Sequence, residues 1–327
     1  MSKITVLGSG AWGTALAIIL HQNGHKIALW GHDAKRLEEL GRTHRNERYL
    51  PGVELPQGWR VEADLKKAIG DSEVIVAAVP SKAFRAVTEN FADFTGTVIS
   101  VTKGIEPETG LTMCGVLGET APKAKCAALS GPTFALEVAR GMPTAIVAAS
   151  TDAETAALVQ QLFHRPAFRV YTTADVLGVE LGGALKNVIA IAAGVCDGLG
   201  FGDNSKAALI TRAMAEVRRL GVICNAQADT FSGLSGLGDL TVTCFSKLSR
   251  NRGFGERLGK GEQLEKVLGS MVTVAEGYPT SRSAYQLARK HQASTPVIDE
   301  VYRMLYEGKD VAKGVRDLMS RDSKAED

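Results

Sequence analysis

The sequence predicts an α/β fold, a parallel, doubly wound sheet followed by an all-α C-terminal domain. Three observations predict it. Short apolar, β-rich runs alternate with helical patterns up to residue 175 or so. The first of those runs ends in a glycine-rich turn that opens a helix. Beyond residue 180 strand-like runs become scarce and helical periodicity takes over. Continuous apolar runs separated by helices mark strands covered on both faces, the signature of a parallel sheet.

The expected strands are Ile4–Leu7, Lys26–Trp30, Val74–Val79, Val98–Thr102 and Ala127–Leu129, with further short ones at Ala145–Ala148 and Phe168–Tyr171. In the second half, residues 180–198, 205–224, 228–234, 253–259, 262–270, 280–290 and 296–306 read as helices. Pro296 suits a first helical turn. The chain therefore divides into residues 1–178, residues 179–320 and a polar tail at 321–327. No repeat or low-complexity linker separates the halves, so a packed junction is expected, a favoured setting for ligand sites.

A chain of 327 residues accommodates two domains of roughly 150 residues each. Its 45% hydrophobic and 23% charged content supports a full core. The net charge of +2 argues against a nucleic-acid-binding or membrane-binding surface. Cys114, Cys126, Cys196, Cys224 and Cys244 are scattered, without a CxxC pair and odd in number. That argues against a disulfide framework or a zinc site and fits a reducing cytoplasm; all five read as small buried hydrophobes. No metal-ligand constellation is visible. Lys3 precedes an apolar run, but Gly8, Gly10 and Gly13 interrupt it, unlike a signal peptide. No segment reaches the roughly 18 uninterrupted apolar residues of a membrane span.

Gly8, Gly10 and Gly13 stand directly after the first strand, at the start of a helix. The first permits a tight turn, the second lets the backbone approach a pyrophosphate, and the third lets helix and strand pack closely. The helix N-terminus adds unpaired N–H groups and a positive dipole. Gly24 sits where a helix C-terminal cap is expected, before the second strand. This context points to a dinucleotide site; a purely structural glycine turn is the alternative. Asp33, twenty residues beyond Gly13, suits a carboxylate on the ribose 2′-hydroxyl of NAD(H). His32, Lys35 and Arg36 would instead tolerate the 2′-phosphate of NADP(H), so the two signals conflict.

Ligands in such folds sit outside the carboxyl ends of the strands. Those ends carry "VPSKAF", "TKGIE" and "SGPTFA". Lys103 follows an apolar strand and precedes Gly104, and so reads as a crevice cation or a solvated strand end. The Gly131 turn and the Thr133 hydroxyl suit a clamp for small polar groups, and Phe84 and Phe134 suit either nicotinamide contacts or the core. In the helical half, Ser249, Arg250, Asn251 and Arg252 form a donor cluster suited to phosphate oxygens. Asp239 would orient a hydroxyl, pair with a lysine or cap a helix, and Glu276 would meet a cofactor amide or ribose. Lys186 lies alone in the apolar stretch "GGALKNVIAIAAG". It either snorkels to solvent or has a task that requires burial.

Together "GSGAWGTA", "VPS", "TKGIE", "SGPTFA", "LGGALKNVIAIAAG", "GLGDL", "SRNRGFG" and "VAEGYPT" resemble bacterial NAD(P)-dependent glycerol-3-phosphate dehydrogenase, in order from Ile4 to about residue 310. The resemblance implies a Rossmann-type N-terminal domain, a helical C-terminal domain and a homodimer. It implies interconversion of dihydroxyacetone phosphate, a phosphorylated triose, and sn-glycerol 3-phosphate, supplying phospholipid synthesis. By motif position it assigns Ala11, Trp12, His32, Lys103, Ala135, Arg250, Val274 and Glu276 to the cofactor, NADP(H) or NAD(H), with Tyr49 matching a further such position. His32 leans this reading towards NADPH. Lys103, Gly131, Thr133, Asp239, Ser249, Arg250 and Asn251 fall to the substrate, and Lys186 to proton transfer. Two other readings are a β-hydroxyacid dehydrogenase of the same layout and a non-catalytic NAD(H) sensor.

Overall fold

In the computed structural model, which describes residues 1–271 and 275–320, the chain forms two compact units. One comprises Met1–Lys103 and Leu111–Glu180. The other comprises Gly104–Gly110 and the residues from Leu181 onward. The tail expected at 321–327 lies outside the described residues.

The first unit is built on an eight-stranded sheet of order β3-β2-β1-β4-β5-β6-β7-β8. Its strands are β1 (Lys3–Leu7), β2 (Lys26–Trp30), β3 (Arg60–Glu62), β4 (Val74–Ala77), β5 (Thr97–Ser100), β6 (Lys125–Ser130), β7 (Thr144–Ala149) and β8 (Phe168–Thr173). Its helices are α1 (Ala11–Gln22), α2 (Ala34–Thr43), α3 (Leu65–Ile69), α4 (Ser81–Thr88), α5 (Met113–Thr120), α6 (Ala135–Ala139) and α7 (Ala153–Phe163). Neighbouring strand residues feed opposite faces: Val6, Val76 and Ile99 enter one apolar cluster, Leu7, Ile75 and Val98 the other. Burial on both faces is why these strands read as unbroken apolar runs.

The sheet departs from the all-parallel expectation at one pairing, since β6 and β7 run antiparallel. The five-residue α6 between them rises only about 7.5 Å, against about 20 Å for a six-residue strand. It is too short to return the chain to the start of a parallel neighbour. The three-residue edge strand β3 lacks an apolar run and was not anticipated. Phe84 lies fully buried in the core, so its alternative role beside a nicotinamide is withdrawn. Phe134 is half-buried at the start of α6. Cys196 and Cys244 are buried, whereas Cys114, Cys126 and Cys224 are only partly so, which corrects the reading of all five as buried.

In the second unit the described residues form no strand. Its helices are α8 (Val176–Gly198, whose first turn belongs to the first unit), α9 (Asp203–Ile223), α10 (Asp239–Phe245), α11 (Arg250–Gly259), α12 (Leu264–Ser270), α13 (Gly277–Lys290), α14 (Pro296–Tyr306) and α15 (Val311–Met319). Helix α8 is long and apolar enough to cross a membrane, but 89% of its most apolar window is buried inside the protein. It is the core helix of this unit.

Read every fourth residue, α8 presents Gly182, Lys186, Ala190, Gly194 and Gly198 along one ridge. The glycines admit other backbone. A Cβ on Gly194 would stand 1.9 Å from the Arg252 carbonyl oxygen, and one on Gly198 would stand 2.3 Å from that of Glu256. From α11, Gly255 and Gly259 approach the carbonyls of Ile191 and Val195 just as closely, at 2.0 and 2.5 Å. Two helices thus touch backbone to backbone, and the ridge carries one long side chain, Lys186. Replacing Gly255 by Ala should separate them and cost about 3 kcal/mol, the upper range for an overpacked interior, read by urea denaturation.

Buried Glu216 on α9 closes the start of α14, where its carboxylate accepts the Val297 N–H at 2.9 Å and the Ile298 N–H at 3.4 Å. Burial pushes its pKa from 4.5 up to about 7, against the opposing pull of those amides. The folded chain therefore holds this proton more tightly than the unfolded chain. Stability should fall as pH rises from 4.5 to about 7, by about 3 kcal/mol for this group, and then level off. Glu216→Gln should flatten that decline in denaturation curves taken at pH 5 and pH 8.

Candidate active site

In the first unit, the residues read as nucleotide-binding gather where the strand order reverses, between β1 and β4. Gly8 takes φ +120°, a left-handed conformation that favours glycine, and a Cβ there would lie 2.4 Å from the Ala78 carbonyl oxygen. A Cβ on Gly13 would lie 2.0 Å from the Gly8 carbonyl oxygen, so helix α1 can begin only if this position is bare. At Gly10, by contrast, a Cβ would meet nothing within 4 Å. Helix α1 starts there without a side-chain cap, and its first-turn N–H groups and dipole favour an anion. Ala11, Trp12 and Ala135 pack on the same core cluster beside this turn. The Trp12 indole Nε1 is buried without a hydrogen-bond partner among the described residues. The open side of the turn and this unmet donor fit a dinucleotide pyrophosphate.

At the carboxyl ends of β5 and β6 three further predicted residues come together. Lys103 is half-buried, and its Nζ donates to the Gly131 carbonyl oxygen at 3.0 Å. The Thr133 hydroxyl donates to that same oxygen at 3.1 Å. Lys103 is thus tied to the turn and is not a solvated strand end. Beyond β2, His32 is exposed, Asp33 caps α2 by accepting the Arg36 N–H, and Tyr49 accepts from the Arg36 guanidinium at 2.8 Å.

In the second unit, Lys186 is 9% exposed, and its ammonium does not snorkel. Its Nζ lies 2.9 Å from Asp239 Oδ1 and donates to the Thr243 hydroxyl at 2.7 Å. Thr243 in turn donates to the same Asp239 oxygen at 3.2 Å. Asp239, 1% exposed, is the first residue of α10 and uses its carboxylate on this lysine rather than as a helix cap. Beside this triangle, Asn251 joins three helices: its amide donates to Asn187 Oδ1 on α8 and accepts the Gly277 N–H at the start of α13, both at 2.9 Å. Ser249 caps α11 through the Arg252 N–H at 3.2 Å. Arg250 opens α11 with its side chain exposed, and the Glu276 carboxylate acts on its guanidinium. Val274 lies outside the described residues.

The sequence reading missed Thr243 and Asn187. Thr243 stands four residues after Asp239, on the same helical ridge, and that spacing was the available signal. Asn187 neighbours Lys186, but its pairing with Asn251 needed the α8–α11 contact to be known. Among the described residues no three His, Cys, Asp or Glu side chains gather as a metal site. A desolvated ammonium beside hydroxyl and amide donors, followed by an arginine at a helix N-terminus, suits a small anionic substrate with a carbonyl or hydroxyl to protonate or deprotonate.

Comparison with known proteins agrees with this chemistry. The sequence model of the NAD-dependent glycerol-3-phosphate dehydrogenase N-terminus matches residues 3–156, and that of the C-terminus matches residues 175–316. The chain is 48% identical to the glycerol-3-phosphate dehydrogenase [NAD(P)+] of Geobacter metallireducens, over 99% of this chain and 98% of that protein. It is 46% identical to the enzyme of the same name from Chlorobium phaeobacteroides, over 99% of both. The crystal structure of glycerol-3-phosphate dehydrogenase from Coxiella burnetii superposes with a TM-score of 0.95 at 35% identity, covering 98% of this chain and 99% of that one.

Proposed function

The chain belongs to the NAD-dependent glycerol-3-phosphate dehydrogenase family, and from that premise we propose that it interconverts dihydroxyacetone phosphate and sn-glycerol 3-phosphate with NAD(P)H. The observation that carries this reading is the buried Lys186 ammonium, held by Asp239 and Thr243, on a helix packed directly against the one that carries Arg250 and Asn251, residues suited to phosphate. The turn at Gly8, Gly10 and Gly13, with Ala11, Trp12, Tyr49 and Ala135, would hold the dinucleotide, and Arg250, Val274 and Glu276 are the positions of the second unit assigned to it. A bound nicotinamide supplies the hydride to carbon 2.

Arg250 presents a planar fork to the substrate phosphate, and Asn251 and Ser249 add neutral donors. The family resemblance also assigns Lys103, in the first unit, to the substrate. Negative charge grows on the carbonyl oxygen during reduction; Lys186 stabilises it and then gives up one proton, forming the hydroxyl. In the oxidative direction the neutral amine accepts that proton. Asp239 compensates the ammonium between turnovers, and Thr243 fixes its direction. Free cysteines fit the reducing cytoplasm, where a homodimer feeding phospholipid synthesis is the form we propose.

The test is oxidation of NADPH and NADH in the presence of dihydroxyacetone phosphate, followed at 340 nm. Lys186→Met should lower kcat roughly 10²–10⁴-fold while thermal melting shows a folded protein. Near-normal turnover would remove Lys186 from the reaction. Arg250→Ala should raise KM for the triose phosphate about 10- to 100-fold, the range for a lost hydrogen bond to a charged group. An unchanged KM would show the phosphate to be anchored elsewhere.

A further inference from the structure

Resting on the proton-transfer reading of Lys186, we infer that the turn Leu234–Gly238 is the element that positions Asp239 against Lys186. One inserted residue in this turn aims the carboxylate, and Gly182 and Gly236 are the bare positions that seat it. An α-turn closes between residues four apart. Here the Gly238 N–H donates to the Gly233 carbonyl oxygen at 3.1 Å, five residues back. The Asp239 N–H spans the same interval to the Leu234 carbonyl and also reaches that of Gly236. Such a π-turn is rare, mostly a single-turn insertion, and frequently lies at a functional site.

The insertion decides which side chains meet the ammonium. An α-helix advances about 100° per residue, so one residue more or fewer in the turn redirects everything after it. Asp239 and Thr243, four residues apart on one ridge, both reach Lys186. If residues 234–245 formed an unbroken α-helix from the same seat, Gly238 and Val242 would occupy those places. Neither carries a carboxylate or a hydroxyl, so the buried ammonium would lose Asp239 and Thr243 together.

Backbone contacts on two sides hold the register. Gly182 stands one turn before Lys186 on α8, and a Cβ there would lie 2.7 Å from the Ser235 carbonyl oxygen. A Cβ on Gly236 would lie 2.2 Å from the Phe231 carbonyl oxygen. Phe231 is itself fixed, since its fully buried ring stands 2.0 Å from where a Cβ of Gly221 on α9 would be. The carbonyl oxygens of an anchored backbone cannot rotate aside as a side chain can, so a methyl group at 182 or 236 must displace the turn. Helix α10 follows the turn without a break, and the displacement therefore reaches Asp239.

The experiment determines crystal structures and steady-state kinetics of Gly182→Ala and Gly236→Ala, alone and combined with Asp239→Asn, using dihydroxyacetone phosphate and NADPH. In both glycine variants the Lys186–Asp239 separation should open from 2.9 Å to beyond hydrogen-bond range. The kcat should fall about 10- to 100-fold, the scale of coupling between residues in contact. KM for the triose phosphate should not change, because Arg250 and Asn251 lie on α11. In the Asp239→Asn background the same substitutions should cost nothing further. Gly198→Ala is the matched control: a Cβ there meets the Glu256 carbonyl oxygen at 2.3 Å on the same ridge, and its effect on kcat should multiply with that of Asp239→Asn. If Gly236→Ala does not fold, Gly182→Ala, with the milder clash, decides. A Lys186–Asp239 pair that stays intact in Gly182→Ala, or a loss of kcat that multiplies with that of Asp239→Asn, would overturn the inference. A pair opened in the crystal with normal kcat would uphold the turn as its positioning element and overturn only the role given to Asp239 in the reaction.

Discussion

The polar cluster of the second unit depends on a backbone contact between two helices. Helices α8 and α11 meet through Gly194, Gly198, Gly255 and Gly259, each of which has another residue's carbonyl oxygen where a Cβ would be. Only that approach brings the first turn of α11 close enough for Asn251 to reach Asn187. Gly277 repeats the device at the start of α13, where a Cβ would lie 2.4 Å from the Asn187 carbonyl oxygen. Three helix segments therefore converge on the residue next to Lys186. Larger side chains would add apolar burial and lose this convergence, so the packing gives up core volume to fix the positions of polar atoms.

Charge is handled in the same spirit. Taking an ammonium and a carboxylate out of water costs several kcal/mol per ion, and apolar residues of similar volume often serve stability as well or better. The Lys186–Asp239 pair is therefore poor evidence for stability and good evidence for a task. Thr243 supplies the additional hydrogen bonds that make such a pair tolerable. In the first unit, Lys103 is restrained by the Gly131 carbonyl oxygen at 3.0 Å.

How much of this could be read from the sequence depended on the range of the interaction. Strands β1, β2, β4 and β5 announced themselves because burial on both faces leaves mostly apolar residues. The turn at Gly8 and Gly13 was legible because a single glycine there answers a local steric demand. The antiparallel entry of β7 was not, since it follows from the length of α6 and from no property of β7. Helix α10 was hidden by the glycines that precede it, and α15 by its mixed composition. Lys186 stood out as an anomaly, but its partners come from α10, more than fifty residues away in the chain. Asp33 shows a different limit. Helix capping and ribose recognition call for the same side chain at almost the same place, and the sequence pattern alone does not tell them apart.

The segment Gly104–Gly110 leaves the sheet and packs with the helical unit, where the Ile105 carbonyl accepts from the buried Ser283 hydroxyl at 2.9 Å. The helical unit is consequently discontinuous in the chain. No single crossover in a gene can exchange it whole: a recombinant that joins one parent's residues up to 180 to another's from 181 onward would bring α13 against a foreign heptapeptide. The helical unit thus depends on seven residues that are written inside the block encoding the other unit.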